Sequence, residues 1–183
     1  MKNFNRKNRL VSLCGLNCGL CPMYIDHYCP GCGGGPGNQS CAIARCSMQK
    51  GNYEYCFQCD KYPCEKYNGI DKYDSFVTHR NQLTDMKKIE KEGEEKYLEE
   101  QGEKAKILAR LLENYNDGRR KSFFCVAVNL LDIFTLRSVM EQIEAATPQD
   151  EISIREKAAI VSDIFQSVAR EQNVALKLTK KPK

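Results

Sequence analysis

Cys14-Gly-Leu-Asn-Cys18-Gly-Leu-Cys21 opens a run of cysteines that continues through Cys29-Pro-Gly-Cys32, Cys41-x4-Cys46 and Cys56-Phe-Gln-Cys59 to Cys64. It contains three C-x2-C pairs. Two intervening residues let both sulfurs of a pair reach one ion while the backbone amides between them donate to the sulfurs. Cys29-Pro-Gly-Cys32 is the best single ligand pair, because its proline and glycine make the turn compact. The candidate metal ligands are Cys14, Cys18, Cys21, Cys29, Cys32, Cys41, Cys46, Cys56, Cys59 and Cys64. Tetrahedral zinc takes four ligands, so ten thiols complete about two Zn2+ sites per chain with two thiols left over. A working set draws on Cys18, Cys21, Cys29, Cys32, Cys41, Cys46, Cys56 and Cys59, with Cys14 and Cys64 as substitutes. The pairing stays open, as does a three-ion cluster with bridging thiolates. His27, two residues before Cys29, reads as a surface histidine rather than a ligand.

Of the eleven cysteines only Cys125 lies beyond this run, so the chain is not stapled throughout. No apolar stretch approaches the ~18 residues that cross a bilayer, and the basic N-terminus leads into cysteine and glycine rather than into a secretory apolar segment. The expectation is a soluble, cytoplasmic chain with no membrane partner. Thiols stay reduced in that compartment, which favours metal over disulfides.

The same thiolates can hold iron. Cys14-x3-Cys18-x2-Cys21 has the spacing of a four-iron cluster that binds S-adenosylmethionine, but such enzymes need repeated parallel strands, and no strand pattern occurs here. An iron-sulfur redox protein or a metal-dependent enzyme remains an alternative to structural zinc.

Charge separates along the chain. Residues 1–64 carry seven Lys/Arg against three Asp/Glu, and the rest balances at 21 each. Zinc bound by four thiolates is a centre of net charge about −2, so two centres would offset the excess. Nucleic acid is a possible but less favoured partner. Tyr24, Tyr28, Tyr53, Tyr55, Tyr62 and Tyr67 could form a stacking platform, yet basic residues interleave with them sparsely, and covering a metal-rich core is the simpler use. An unidentified protein is the favoured partner.

Residues 11–68 read as a Cys-rich, zinc-knuckle-like metal-binding region; within it residues 14–64 have too few aliphatic side chains to bury a core, so bound metal is expected to hold them, and its removal to unfold them. The run from Gly31 to Gly37 lacks the Lys-Ser/Thr of a phosphate loop; glycine there lets amides turn back toward a sulfur. Residues 70–101 read as a charged connector of two short helices broken near Gly93. Residues 102–172 read as a helical domain. Ala105, Leu108, Leu112 and Tyr115 mark a helix of about three turns beginning after Gly102 and stopping at Asn116-Asp-Gly118. The most apolar run starts at Ser122, with a break at Asp132, and forms the centre of the core. Thr147-Pro148-Gln149-Asp150 reads as the start of a last helix that buries Ile154, Ala158, Val161, Phe165 and Val168. Residues 173–183 form a basic tail that frays.

Elsewhere the chemistry is sparse. Arg119, Arg120 and Lys121 precede the apolar helix and read as solvated rather than as an anion site. Cys125, among Phe123, Phe124 and Val126, reads as an inert buried thiol. His79 has no cysteine near it in sequence.

Together Cys14-Gly-Leu-Asn-Cys18-x2-Cys21-Pro22, Cys29-x2-Cys32-Gly, Cys41-x-Ile43-x2-Cys46 and Cys56-x2-Cys59-x2-Tyr62-Pro63-Cys64-Glu65-Lys66 resemble the cysteine-rich prokaryotic family called domain of unknown function 3795. The continuation Tyr115-Asn-Asp-Gly118-Arg-Arg-Lys-Ser-Phe-Phe-Cys125 is similar to its longer members. The resemblance implies zinc binding at the ten clustered cysteines, and neither an activity nor a partner. The expected architecture is mainly α, with a small irregular metal-stabilised part: a Cys-rich zinc-knuckle N-terminal region packed on a helical C-terminal domain. The expected function is a structural zinc-binding interaction module rather than an enzyme.

Overall fold

The computed structural model describes residues 3–35, 41–147 and 152–182. Among these residues it forms seven α-helices and no strand, apart from an isolated bridge between Asn5 and Gly34. The chain divides into two compact units, Met1–Gln101 with Leu178–Lys183, and Gly102–Lys177.

In the first unit the cysteine-rich segment is irregular. It has 3-10 turns at Cys18–Leu20, Cys56–Gln58 and Glu65–Tyr67, a single helical turn α1 (Pro22–Ile25) and a short helix α2 (Ala42–Lys50). The expectation that this segment cannot bury a core is corrected. Val11, Tyr55, Met86, Ile89 and Tyr97 form one apolar cluster, with Cys56, Phe57, Tyr62 and Leu98 packed on it. Phe4, Leu13 and Ala44 form a second, against which Cys32, Cys41 and Cys56 pack. The aliphatic side chains missing between Cys14 and Cys64 come from outside it: Phe4 and Val11 precede the run, and Met86, Ile89 and Tyr97 come from the charged segment. Each such burial contributes roughly 1.5–3 kcal/mol.

That segment forms α3 (Gln82–Glu92) and opens α4 (Glu94–Asn114). Met86 and Ile89 are spaced to share a face and are buried, whereas Lys87, Glu90 and Lys91 stay in water. Gly93, at φ +92°, ends α3 and donates its N–H to the Ile89 carbonyl, as the periodicity predicts. Polar contacts fasten the helices to the first cysteine loop. The Gln82 amide donates to the Cys14 carbonyl at 2.9 Å, and the buried Tyr97 hydroxyl donates to Asn17 Oδ1 at 2.9 Å. Asn17 in turn donates to Asp85 at 2.9 Å. Thr179, in the tail, exchanges two hydrogen bonds with Asp74, its N–H donating to the carboxylate at 2.7 Å.

A separate helix starting after Gly102 is not what forms: α4 runs unbroken through Gly102 for 21 residues. One interior glycine costs about 1 kcal/mol, which the helix formers on both sides outweigh.

In the second unit α5 (Lys121–Leu130), α6 (Ile133–Ala146) and α7 (Ile154–Glu171) join the latter part of α4. Phe124, Leu136, Val139, Ile143, Val161 and Phe165 are wholly buried, which places the most apolar run in the core as its composition predicts. Helix α6 packs on α7, and the Phe165 ring meets Phe123 edge-on at 6.1 Å. The break near Asp132 is real. Its carboxylate accepts from the Phe134 and Thr135 amides at 2.9 Å and starts α6. Buried Lys104 closes the other side of the break, donating to the Leu131 carbonyl at 2.7 Å where α5 ends.

The start of α7 differs from its sequence reading. Thr147 ends α6, its amide and hydroxyl both donating to the Ile143 carbonyl. Ser153 is the cap, paired reciprocally with Glu156 in a capping box. Pro148, Gln149 and Asp150 lie outside the described residues. Ile154, expected on the inner face, is 47% exposed because it begins the helix beyond the core. No helix is long and apolar enough to cross a membrane among the described residues.

Candidate metal centre

All eleven cysteines are free thiols; the ten clustered ones are half-buried, and Cys125 is buried in the second unit's core. In the first unit the fold gathers the ten by crossing segments rather than by following the C-x2-C pairs. Cys14 has Cys32, Cys41 and Cys56 as electrostatic neighbours, and Cys18 has Cys32, Cys14 and Cys21. Cys56 faces Cys64, Cys46 and Cys41, while Cys21 neighbours Cys29. Within the favoured pair, Cys29 stands beside Cys21, and Cys32 stands with Cys14, Cys18 and Cys41.

Hydrogen-bond donors are directed at these sulfurs. The Cys32 amide donates to Cys18, the Met23 and Tyr24 amides to Cys21, and the Leu13 amide with the Arg6 guanidinium to Cys32. Leu13 also accepts the Cys56 amide on its carbonyl at 3.0 Å, which ties the first and last cysteine groups to one residue. The Ser12 hydroxyl lies 3.2 Å from the Cys14 sulfur.

Burial dominates the thiols' acidity. It pushes Cys14 up to about 12, against the Ser12 hydroxyl, and Cys56 up to about 11, against the Tyr67 hydroxyl. Cys18, Cys21 and Cys32 are also raised by burial, and the amide donors oppose it. Nearby sulfurs raise each thiol further, since like charges crowd together. Such groups ionise near neutral pH only when a cation compensates them.

Arg6 is the residue that sequence reasoning missed, having counted it only as one of seven basic residues. It is buried beneath the cysteine loops. Its Nε and Nη2 donate to the Glu54 carbonyl at 3.0 and 2.6 Å, and its Nη1 to the Val11 carbonyl at 2.7 Å. The Glu54 carboxylate pairs with it at 3.3 Å, and its guanidinium lies over the Tyr55 ring. A Cβ on Gly33 would stand 2.8 Å from the Arg6 chain, so the glycine lets the Cys29–Cys32 turn close over it. Nothing local signals this contact, because Glu54 is 48 positions away.

The set suits a divalent thiophilic ion in donor type and number, with amide and guanidinium donors that a thiolate uses far better than a thiol. In distance it does not: no group of three or more His, Cys, Asp or Glu side chains is gathered into a ligating arrangement among the described residues. Uptake of metal would therefore require the sulfurs to converge.

Residues 10–69 match the family model described as "Protein of unknown function (DUF3795)". The cysteine-rich segment is similar to that family. The matched part of DUF3795 covers all ten clustered cysteines and ends before α3; the similar stretch Tyr115–Cys125 lies outside it. No curated protein and no solved structure matches the chain.

The remaining sequence candidates separate from the cysteines. His27 is exposed at φ +60°. Both ring nitrogens of His79 are engaged locally, by the Ile70 carbonyl at 3.0 Å and the Ser75 hydroxyl at 2.9 Å. The Arg119 and Arg120 amides close turns on Asp117 and Asn116. Tyr55 and Tyr67 are buried whereas Tyr28 is 72% exposed, so the tyrosines do not all share one surface.

Proposed function

We propose that residues 14–64 form a zinc-thiolate module holding about two zinc ions, with a structural rather than catalytic role. The observation that carries this reading is the set of free, crowded cysteine sulfurs toward which backbone amides and the Arg6 guanidinium are turned. Neutral thiols are weak acceptors and give little return for such donors, whereas metal-bound thiolates are strong ones. Four-thiolate zinc leaves no coordination position for water, so the module binds and organises rather than catalyses. Its partner, on this reading, is another protein, and the free thiols suit a compartment that keeps them reduced, such as the cytoplasm.

A pair of variants tests the reading. Cys32→Ser should lower zinc content and the thermal midpoint together, because it removes a ligand that both Arg6 and Leu13 support. Cys125→Ser should leave zinc content unchanged. Equal zinc loss in both would sink the separation of ligand from core cysteine.

A further inference from the structure

A cavity of about 40 Å3 in the first unit has Cys46, Cys56, Cys59 and Cys64 all in its lining, together with Tyr62 and Tyr67. Three chain segments bring these cysteines to the wall of one cavity, where their sulfurs would still have to converge on an ion. Cys46 comes from α2, and Cys56 and Cys59 flank a 3-10 turn closed by the Cys59 amide on the Cys56 carbonyl at 3.1 Å. Cys64 begins the next turn, where its carbonyl accepts the Tyr67 amide at 2.9 Å.

Tyr67 is 6% exposed, and its hydroxyl is buried without a hydrogen-bond partner, with the Cys56 sulfur as its electrostatic neighbour. A buried phenol turned toward a neutral thiol forfeits most of a hydrogen bond, and one turned toward a metal-bound thiolate does not. Tyr62 packs edge-on against Tyr67 at 4.9 Å and holds that ring in place.

Beside the cavity a more open cleft of about 660 Å3 shares Cys46, Cys59 and Cys64 in its lining. Exposed Arg45, Lys50, Lys61 and Lys66 stand around it with the Glu65 carboxylate, and the Asp60 carboxylate lies 3.5 Å from the Cys59 sulfur. Cys14 and Cys18, in contrast, line neither the cavity nor the cleft.

We propose that Cys46, Cys56, Cys59 and Cys64 form one metal site of their own, that Tyr67 supports it by donating to the Cys56 thiolate, and that it is the module's exchangeable site, its zinc passing through the basic cleft to anionic chelating carriers. This deepens the zinc-thiolate reading and rests on it. The site uses Cys64, which the spacing alone left as a spare, and leaves Cys14, Cys18, Cys32 and Cys41 as a set away from the cleft. Four thiolates around a divalent ion leave a net charge of about −2, which the surrounding cations offset. The same cations draw in a polycarboxylate or thiolate carrier. The step is ligand exchange: zinc leaves four sulfurs for the carrier's donors, and no electron moves.

Zinc release from the zinc-loaded full chain tests this, read with a chromogenic indicator after challenge with a polycarboxylate chelator or with a neutral one. Expected are two phases of similar amplitude, the fast one quicker with the polycarboxylate and slowed by salt. Cys64→Ser should remove the fast phase and leave the slow one, and Cys18→Ser should reduce the slow one. Tyr67→Phe should quicken the fast phase alone. The double variant Lys61→Gln/Lys66→Gln should slow fast release to the polycarboxylate by about tenfold while leaving release to the neutral chelator unchanged. Release in a single phase, or loss of both phases on Cys64→Ser in protein whose far-ultraviolet circular dichroism is unchanged, overturns the separate exchangeable site and leaves the zinc-thiolate reading standing. A chain that takes up no zinc overturns both.

Discussion

Replacing Arg6 by lysine keeps the charge and removes the fork. The guanidinium spans two buried carbonyls at once, Glu54 at 2.6 and 3.0 Å and Val11 at 2.7 Å. An ammonium is a point donor on a straight stem and cannot serve both from one position. Leaving the Val11 carbonyl unpaired costs about 1–3 kcal/mol, and losing a charged bond to Glu54 costs about 1.5–3 kcal/mol. Because neighbouring losses overlap, about 3–5 kcal/mol in total is expected for Arg6→Lys. That is a large part of an ordinary domain's 5–15 kcal/mol. The assay is urea unfolding followed by tyrosine emission, with both proteins in the same fixed excess of zinc, so that metal supply does not differ in the comparison. Eight of the nine tyrosines precede Gln101 and the chain has no tryptophan, so the signal reports on the first unit. Exposed Lys7→Ala serves as control and should fall within about 0.5 kcal/mol of the parent. An Arg6→Lys change below about 1 kcal/mol would refute the view that this buried cation organises the cysteine loops.

Three further outcomes follow from the structure. Phe165→Ala empties a wholly buried position between α7 and α5 and should cost about 3–5 kcal/mol in the second unit, read by loss of helical circular dichroism on heating. Lys104→Met should cost about 1–3 kcal/mol, because it leaves the Leu131 carbonyl at the end of α5 without its donor, and chemical unfolding measures it. Asp132→Ala should cost about 1 kcal/mol at pH 7 through loss of the α6 cap. Burial opposes ionisation of Asp132, but the Thr135 hydroxyl and the Thr135 and Phe134 amides outweigh it and hold the carboxyl below its ordinary range. Its contribution is therefore present above an ordinary value of about 3.9 and is lost as pH falls through the folded value. The gap between Asp132→Ala and the parent should close in acid.

Local signals made the helical part legible. Apolar spacing of three and four residues marked α5, α6 and α7, while Gly93, a glycine in the left-handed region, marked the end of α3, and Asp132, a capping carboxylate, marked the break before α6. Reading failed where two local rules competed. Gly102 looked like a boundary, yet one glycine among Glu, Lys and Leu does not stop a helix. Thr147-Pro148 looked like a start, yet the threonine's hydrogen bonds go backward to Ile143 and the box at Ser153–Glu156 does the capping. At the candidate centre the residue type and spacing singled out all ten cysteines, but their grouping is set by crossings between distant segments. Cys46 meets Cys56 and Cys64 because α2 and the Cys56–Cys64 loop share a cavity, which no spacing rule contains. Arg6 and Tyr67 were opaque for the same reason. The apolar core of the first unit was missed because its members lie on both sides of the cysteine run, and a segment read alone looks coreless.

The most direct test of the central claim is elemental analysis per chain on protein purified anaerobically without a metal-binding tag, with an absorption spectrum of the same sample. The account predicts about two zinc ions per chain and no visible band. Iron with sulfide and a brown colour, or a folded chain that takes up no zinc when it is supplied, would contradict it.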